Sequence, residues 1–249
     1  MRLLLLAAGY ATRLYPLTLD RPKPLLAVGG RPMIDRLLSS LEPIGFDARY
    51  VVTNTKFAAQ FHDWAAGSSI TIVDDGTTSE DDRLGAIGDI GHVIEHEGID
   101  DDLIVVAGDN LFSETLGDFG RAAREGGAPL LAIHDIGDLE LIRGRYNSIE
   151  IDETGRVTYF EEKPAEPRST LSGVGLYFYP RTTLPLIRQY LAIGENPDQP
   201  GRLVQWLYPR LDFYTWPVPG RWYDIGSREQ LEEADRVFLE RTGTNSAQS

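Results

Sequence analysis

The chain has 249 residues, 24 Lys+Arg against 38 Asp+Glu for a formal net charge of −14, and no cysteine. At that length it buries a full core, and 42% hydrophobic with 25% charged residues excludes wholesale disorder. The acidic balance argues against a nucleic-acid partner, which needs a basic stripe, and the missing cysteines exclude disulfides, thiolate metal sites and a cysteine nucleophile.

Met1-Arg2 followed by the apolar run Leu3 to Ala8 imitates a secretory signal, but the run falls short of the ~7–15 residues a signal needs. It reads instead as a buried strand, because it does not alternate. Similar runs recur at Tyr50 to Thr53, Ile70 to Val73, Leu103 to Ala107 and Leu130 to Ile133. Between them, Met33 to Leu41, Phe57 to Ala65 and Leu84 to Ile94 have helical spacing, the last with Leu84, Ile87, Ile90 and Ile94 on one face. This rhythm predicts a doubly wound α/β layer on a mostly parallel, Rossmann-like sheet. From Tyr146 the rhythm changes. Ser148 to Ile151, Val157 to Phe160 and Gly175 to Tyr179 are strands with no room for crossover helices, and Asp152-Glu153-Thr154-Gly155 is a hairpin turn. They predict antiparallel additions to the sheet that form a lid. Pro180 to Leu191, Gly201 to Tyr208 and Arg228 to Glu240 read as helices, Phe213 to Trp216 as a strand, and Thr242 to Ser249 as a disordered tail. No repeat, linker or span of ~18 apolar residues interrupts the pattern. A single domain over 1–241 is expected, cytoplasmic and without a membrane partner.

The first chemical site follows the first strand: Ala7-Ala8-Gly9-Tyr10-Ala11-Thr12-Arg13, then Pro16-Leu17-Thr18, then Arg21-Pro22-Lys23-Pro24-Leu25. A small-residue loop at a strand's carboxyl end lets backbone N–H groups approach phosphate oxygens. It lacks the Gly-Lys-Ser/Thr of a P-loop and the third glycine of a dinucleotide fingerprint. Lys23 is held between two prolines that stiffen its backbone. It is also one of only three lysines, with Lys56 and Lys163, in a chain that otherwise uses arginine.

Further along, Val105-Val106-Ala107-Gly108-Asp109-Asn110 is a buried strand ending in Gly-Asp, where the glycine is expected to let a ligand come close. Trp222-Tyr223-Asp224-Ile225-Gly226-Ser227 places an acid among aromatics, with Ser227 able to cap the helix from Arg228. Phe160-Glu161-Glu162-Lys163-Pro164 puts two acids and a lysine at a strand end, preceded by Arg145-Tyr146-Asn147 and followed by Ser172-Gly173-Val174-Gly175. His62, His92, His96 and His134 lack metal-ligand spacing and read as structural. The runs Glu80-Asp81-Asp82 and Asp100-Asp101-Asp102 read as solvated loops. Trp206, Tyr208, Phe213, Tyr214 and Trp216 read as core or as a contact between copies of the chain.

Together, the run Leu5 to Leu26, the Gly108-Asp109 step, the Glu162-Lys163 pair and the late Trp222-Tyr223-Asp224-Ile225-Gly226 resemble, in order, the motifs of the sugar-1-phosphate nucleotidyltransferases, the glucose-1-phosphate thymidylyltransferase-like branch included. The resemblance implies condensation of a nucleoside triphosphate with a sugar 1-phosphate, giving an NDP-sugar and pyrophosphate with the help of Mg²⁺. It assigns the nucleotide to about 1–135 and the acceptor to about 136–241. It implies Leu6, Ala8, Gly9, Tyr10, Ala11, Thr12, Arg13, Thr78, Arg83 and Gly108 at the nucleotide. Tyr146, Asn147, Glu162, Lys163, Gly173 and Trp222 would meet the sugar phosphate. Asp109 and Asp224 would hold Mg²⁺, with Arg13 at the departing pyrophosphate, Lys23 at the α-phosphoryl region and Lys163 at the acceptor phosphate. The left-handed β-helix of bifunctional relatives is not expected here.

Departures from the pattern bear on specificity. Ala11 replaces a common glycine and, because alanine resists positive φ, predicts a slightly different loop shape. Thr78 and Arg83 stand where thymidylyltransferases carry Gln and Gly, which leaves the base open. Asn147 replaces a glycine facing the sugar, which leaves the acceptor open. Two other readings remain at this point: a cytidylyltransferase acting on a non-sugar phosphate such as phosphocholine or inositol phosphate, and a catalytically silent nucleotide-sugar-binding protein.

Overall fold

The computed structural model describes residues 1–246, with side chains as far as 240. In chain order the first half contains β1 (Arg2–Leu6), β2 (Ala27–Val28), β3 (Arg31–Pro32), α1 (Met33–Leu41), β4 (Ala48–Thr53), α2 (Thr55–Ala65), β5 (Ile70–Asp74), α3 (Ala86–His96), β6 (Leu103–Ala107), β7 (Asn110–Phe112) and α4 (Gly117–Gly126). The second half adds β8 (Leu130–Asp135), α5 (Leu139–Ile142), β9 (Asn147–Ile151), β10 (Val157–Glu162), β11 (Leu171–Tyr179), α6 (Leu184–Ala192), α7 (Pro200–Leu207), β12 (Tyr214–Pro217), β13 (Trp222–Asp224) and α8 (Arg228–Ser246).

A seven-stranded sheet runs β12-β8-β11-β6-β1-β4-β5. β1 pairs in parallel with β4 on one side and β6 on the other, and β4–β5 and β8–β12 are also parallel. β11 runs against both β6 and β8. From β1 the chain moves outward through β4 and β5, and α3 then carries it back across to β6. The winding therefore reverses between β1 and β6, and their carboxyl ends open the crevice where such sheets take ligands.

Both faces of the sheet are covered, which explains why the strands are apolar without alternation. Leu4, Val52 and Val105 pack with Ile87, Ile90, Val93 and Ile94 of α3 on one face. Leu3, Leu5, Val51, Ile104 and Val106 pack with α1, α2 and α4 on the other. Each such side chain, fully buried, stabilises the fold by about 1.5–3 kcal/mol. A third cluster, Val28, Met33, Leu111, Ile225, Ala234 and Phe238, joins α8 to the short β2–β3 and β7–β13 pairs.

Several expectations need correction. Leu84 precedes α3, because Gly85 at φ +79 breaks the helical path and the helix starts at Ala86. β11 starts at Leu171 and sits inside the sheet, whereas β9 and β10 pair only with each other in a separate hairpin. The turn at 152–155 is as expected, with the Gly155 N–H donating to Asp152 O at 3.0 Å. α4 was not anticipated, since its stretch is rich in glycine and arginine and buries little besides Phe119 and Ala123. The run Asp100-Asp101-Asp102 is a solvent-facing loop, as expected, that also carries ion pairs: Arg181 donates to Asp100 at 2.6 Å and the N-terminal ammonium lies 3.2 Å from Asp101. No proline follows Glu240 to stop α8, which continues to Ser246 through part of the expected tail. The remainder of that tail, 247–249, lies outside the described residues. No described helix is long and apolar enough to cross a membrane.

Candidate active site

The loop after β1 is held from below by a neighbouring crossover. Asn54 caps α2 by accepting the Phe57 N–H at 3.2 Å, and its amide donates to Ala8 O at 2.8 Å. A cap of this kind contributes about 1 kcal/mol, and here it also fixes the loop. Ala11 takes the left-handed conformation, φ 48 and ψ 43, ahead of a 3₁₀ turn at Thr12–Leu14. The loop thus keeps a glycine-like backbone despite the alanine, contrary to the expected change of shape. Thr18 Oγ1 donates to Ala11 O at 2.8 Å and helps to hold that conformation. Gly9, Thr12 and Arg13 are exposed on the loop, and Arg13 makes no ion pair among the described residues.

Gly108 has a packing task in the fold. Its N–H donates to Leu6 O at 2.9 Å, and an added Cβ would meet that oxygen at 2.8 Å and Pro24 Cγ at 3.1 Å. The glycine lets the tips of β1 and β6 and the Lys23–Leu25 turn close together. As a result Lys23 Nζ donates to Asp109 Oδ2 at 2.9 Å, with the lysine side chain only 10% exposed.

Asp224 arrives from far along the chain through β13, which pairs antiparallel with β7 and sets Asp224 opposite Asn110. The Ile225 N–H donates to Asp109 O at 3.1 Å, and the Trp222 indole N–H donates to the Asn110 side-chain oxygen. Burial works to raise both carboxyls. At Asp109 the Lys23 ammonium outweighs it and holds the acid below the usual carboxylate range. Asp224 faces the charge of Asp109, accepts a hydrogen bond from the Tyr146 hydroxyl, and is pushed up to about 6. Lys23 is bonded to Asp109 and Arg145 draws on Asp224, yet neither cation is bonded to Asp224, and among the described residues no third acid, histidine or cysteine joins the pair. Such a donor set fits Mg²⁺, a hard cation that takes one or two carboxylates and leaves the rest of its shell to phosphates and water.

Just past β10, Lys163 has φ 50, so it and Ala11 are the non-glycine residues with positive φ among those described. Each such conformation costs about 1–2 kcal/mol, and strain of this kind collects at working sites. The Lys163 N–H donates to Tyr146 O at 3.1 Å, leaving the ammonium exposed. Glu162 is raised by burial against the pull of Lys163 and Arg202, and hydrogen-bonds the Asn147 side chain. Asn147 spends the rest of its amide on β11, accepting the Gly173 N–H at 2.6 Å and donating to Gly173 O at 3.2 Å. It is a clamp between the hairpin and the sheet.

The segment after β5 is bonded to itself. Asp82 accepts the Thr78 hydroxyl at 3.0 Å and the Ser79 N–H at 2.8 Å. Arg83 pairs with Glu80 and reaches Asp198 at 3.2 Å. Thr78 and Arg83 thus sit on one exposed loop, each already engaged by a neighbouring acid.

A cavity of about 270 Å³ opens beside Asp224, lined by His134, Ile136, Tyr146, Trp222, Tyr223, Asp224, Gln230 and Glu233. Its rings include Tyr146 and Trp222 at 5.8 Å. Sequence reasoning missed His134, Gln230 and Glu233. Ser227 does cap α8, accepting the Gln230 N–H at 3.3 Å, while the Gln230 side chain accepts the Gly226 N–H at 2.9 Å. That reciprocal bond was the available signal that Gln230 faces the site.

A family model described as nucleotidyl transferase matches residues 2–241. The chain is 30% identical over 255 residues to a UTP–glucose-1-phosphate uridylyltransferase of Synechocystis sp., covering 97% of this chain but 64% of that protein. It is also 30% identical over 247 residues to a glucose-1-phosphate thymidylyltransferase of Streptomyces antibioticus, covering 96% of this chain and 67% of that one. A solved UDP-glucose pyrophosphorylase complexed with UDP-glucose, at 19% identity, matches with a TM-score of 0.80 over 96% of this chain and 98% of that one. At that identity the likeness speaks to the fold alone.

Proposed function

Because the chain belongs to the nucleotidyl transferase family, we propose that it joins a nucleoside triphosphate to a sugar 1-phosphate, with Mg²⁺ held by Asp109 and Asp224. The observation that carries this reading is the β7–β13 pairing, which brings Asp224 to Asp109 and Lys23 at the switch point of the sheet. The reactions for which the two relatives are named support the acceptor class.

A phosphate oxygen of the acceptor attacks the α-phosphorus in line. That P–O bond forms as the bond to the β-phosphate bridging oxygen breaks, and pyrophosphate leaves. No protein nucleophile is needed, so the chain works by positioning and electrostatics. Mg²⁺, when bound, supplies neutralisation of the phosphate charge. The loop at 7–13 offers its backbone to the triphosphate, and exposed Arg13 meets the departing pyrophosphate. Lys23 keeps Asp109 ionised and carries positive charge to the α-phosphoryl region. Tyr146 orients Asp224. Lys163, fixed by its left-handed backbone, takes the acceptor phosphate, and Glu162 takes sugar hydroxyls.

The test is pyrophosphate release across dTTP, UTP, CTP, GTP and ATP with a panel of sugar phosphates and phosphocholine. Turnover is expected with at least one sugar 1-phosphate. Turnover with CTP and phosphocholine alone overturns the acceptor class, and tight nucleotide-sugar binding without turnover overturns the enzyme.

A further inference from the structure

A second acid pair lies away from the phosphate site. Asp75, just past β5, and Asp89, on the first turn of α3, are 7% and 6% exposed. Asp75 Oδ1 accepts both the N–H and the hydroxyl of Thr77 at 2.7 Å. Asp75 Oδ2 and Asp89 Oδ1 are buried without a hydrogen-bond partner, and the two carboxyls face each other. Ionised carboxylates only accept, so neither can satisfy the other, and one proton between them supplies the missing donor.

Among the described residues no cation relieves the pair. Burial and Asp75 are the influences on Asp89 and push it up to about 8, so Arg188 of α6 and Arg202 of α7, on helices packed against α3, do not reach it. Asp74 adds a further like charge at Asp75. The remaining ionisable neighbours are His92, one turn along α3, and Tyr10 on the β1 loop. Tyr10 itself is raised by burial and by Asp82, Asp75 and Glu80.

Thr77 links this pair to both nucleotide-side loops. Its hydroxyl lies 3.4 Å from the Tyr10 hydroxyl, and with its own hydrogen given to Asp75, it accepts from Tyr10. Tyr10 stands between Gly9 and left-handed Ala11, while Thr78, the next residue after Thr77, opens the self-bonded stretch after β5.

We propose that Asp75 and Asp89 share one proton and form a positioning element of the triphosphate site, holding Thr77 and, through Tyr10, the β1 loop in its binding geometry. The inference rests on the reading of that loop as the triphosphate site. Loss of the shared proton sets two charges side by side in a dry position and loosens the loop, so the triphosphate KM rises in alkaline solution while kcat holds.

Two readouts test it on the full chain. Infrared spectra of the wild type at about pH 7, below the value of about 8 at Asp89, should show the C=O stretch of a protonated carboxylic acid that Asp89→Asn lacks. No such band overturns the proposal. Between about pH 7 and about pH 9.5 the wild-type triphosphate KM should rise about tenfold, whereas Asp89→Asn, whose amide keeps a donor hydrogen without titrating, should stay flat. An equal rise in both proteins, or a flat wild type, overturns it. Asp75→Ala, which removes the acceptor for Thr77, should raise that KM about tenfold with kcat within about twofold. A loss confined to kcat is the contrary result. If Asp89→Asn does not fold, the wild-type band and KM profile still decide. A wild type that releases no pyrophosphate contradicts the proposed reaction instead, and the infrared band then tests the pair by itself.

Discussion

At the tips of β6 and β13, Asp109 and Asp224 meet with Lys23 hydrogen-bonded to the first; between β5 and α3, Asp75 and Asp89 meet with no cation beside them among the described residues. The residue types are the same and the surroundings decide their chemistry. A partly open pair with an ammonium beside it keeps negative charge available, which suits a hard cation and phosphate traffic. A dry pair without a counter-charge must keep a proton, which suits holding backbone in place. Composition alone cannot tell such pairs apart, because the difference lies in Lys23 and in burial.

Breaking the open pair should have the largest effect. Asp224→Asn should lower pyrophosphate release by at least about a hundredfold while the thermal melt stays close to wild type. Next comes Lys163→Ala, which should raise the acceptor KM about tenfold, the value of a charge-assisted hydrogen bond, and leave the triphosphate KM little changed. Equal loss of both removes the role given to that lysine.

The dry pair predicts a stability effect of defined sign. Asp89 is raised in the folded protein to about 8 from an ordinary 3.8, so between these values the folded state holds a proton that the unfolded chain has lost. Stability contributed by this group is complete below the lower value and declines as pH rises toward the upper one, by at most about 1.4 kcal/mol per pH unit. Denaturant melts of the wild type and Asp89→Asn should therefore diverge with rising pH, the variant losing less. Parallel curves contradict the pairing. The smallest effect is expected at Ala11: Ala11→Gly relieves the positive φ but frees the unfolded chain, and should shift stability by less than about 1 kcal/mol.

The two pairs also differ in how readable they were. Asp109 and Asp224 announced themselves as Gly-Asp after an apolar run and as an acid among aromatics. What brings them together, the three-residue strands β7 and β13, is too short for any periodic signal. Asp89 gave no sign, because helical spacing explains Ile87, Ile90 and Ile94 and leaves Asp89 looking like a solvent-facing residue. It is 6% exposed and meets Asp75, which helical spacing does not foretell. Likewise the sheet was legible from its apolar strands, but the place of β11 between β6 and β8 was not, since strand order depends on long-range pairing. Gly108 was legible as a special position, but its packing against Leu6 O and Pro24 was not, because that nearness exists only in three dimensions.

The central claim is that Asp109 works with Asp224 at the triphosphate, and pyrophosphate release by Asp109→Asn in the presence of Mg²⁺ tests it most directly. The account predicts a folded protein that no longer releases pyrophosphate. Release at the wild-type rate contradicts it.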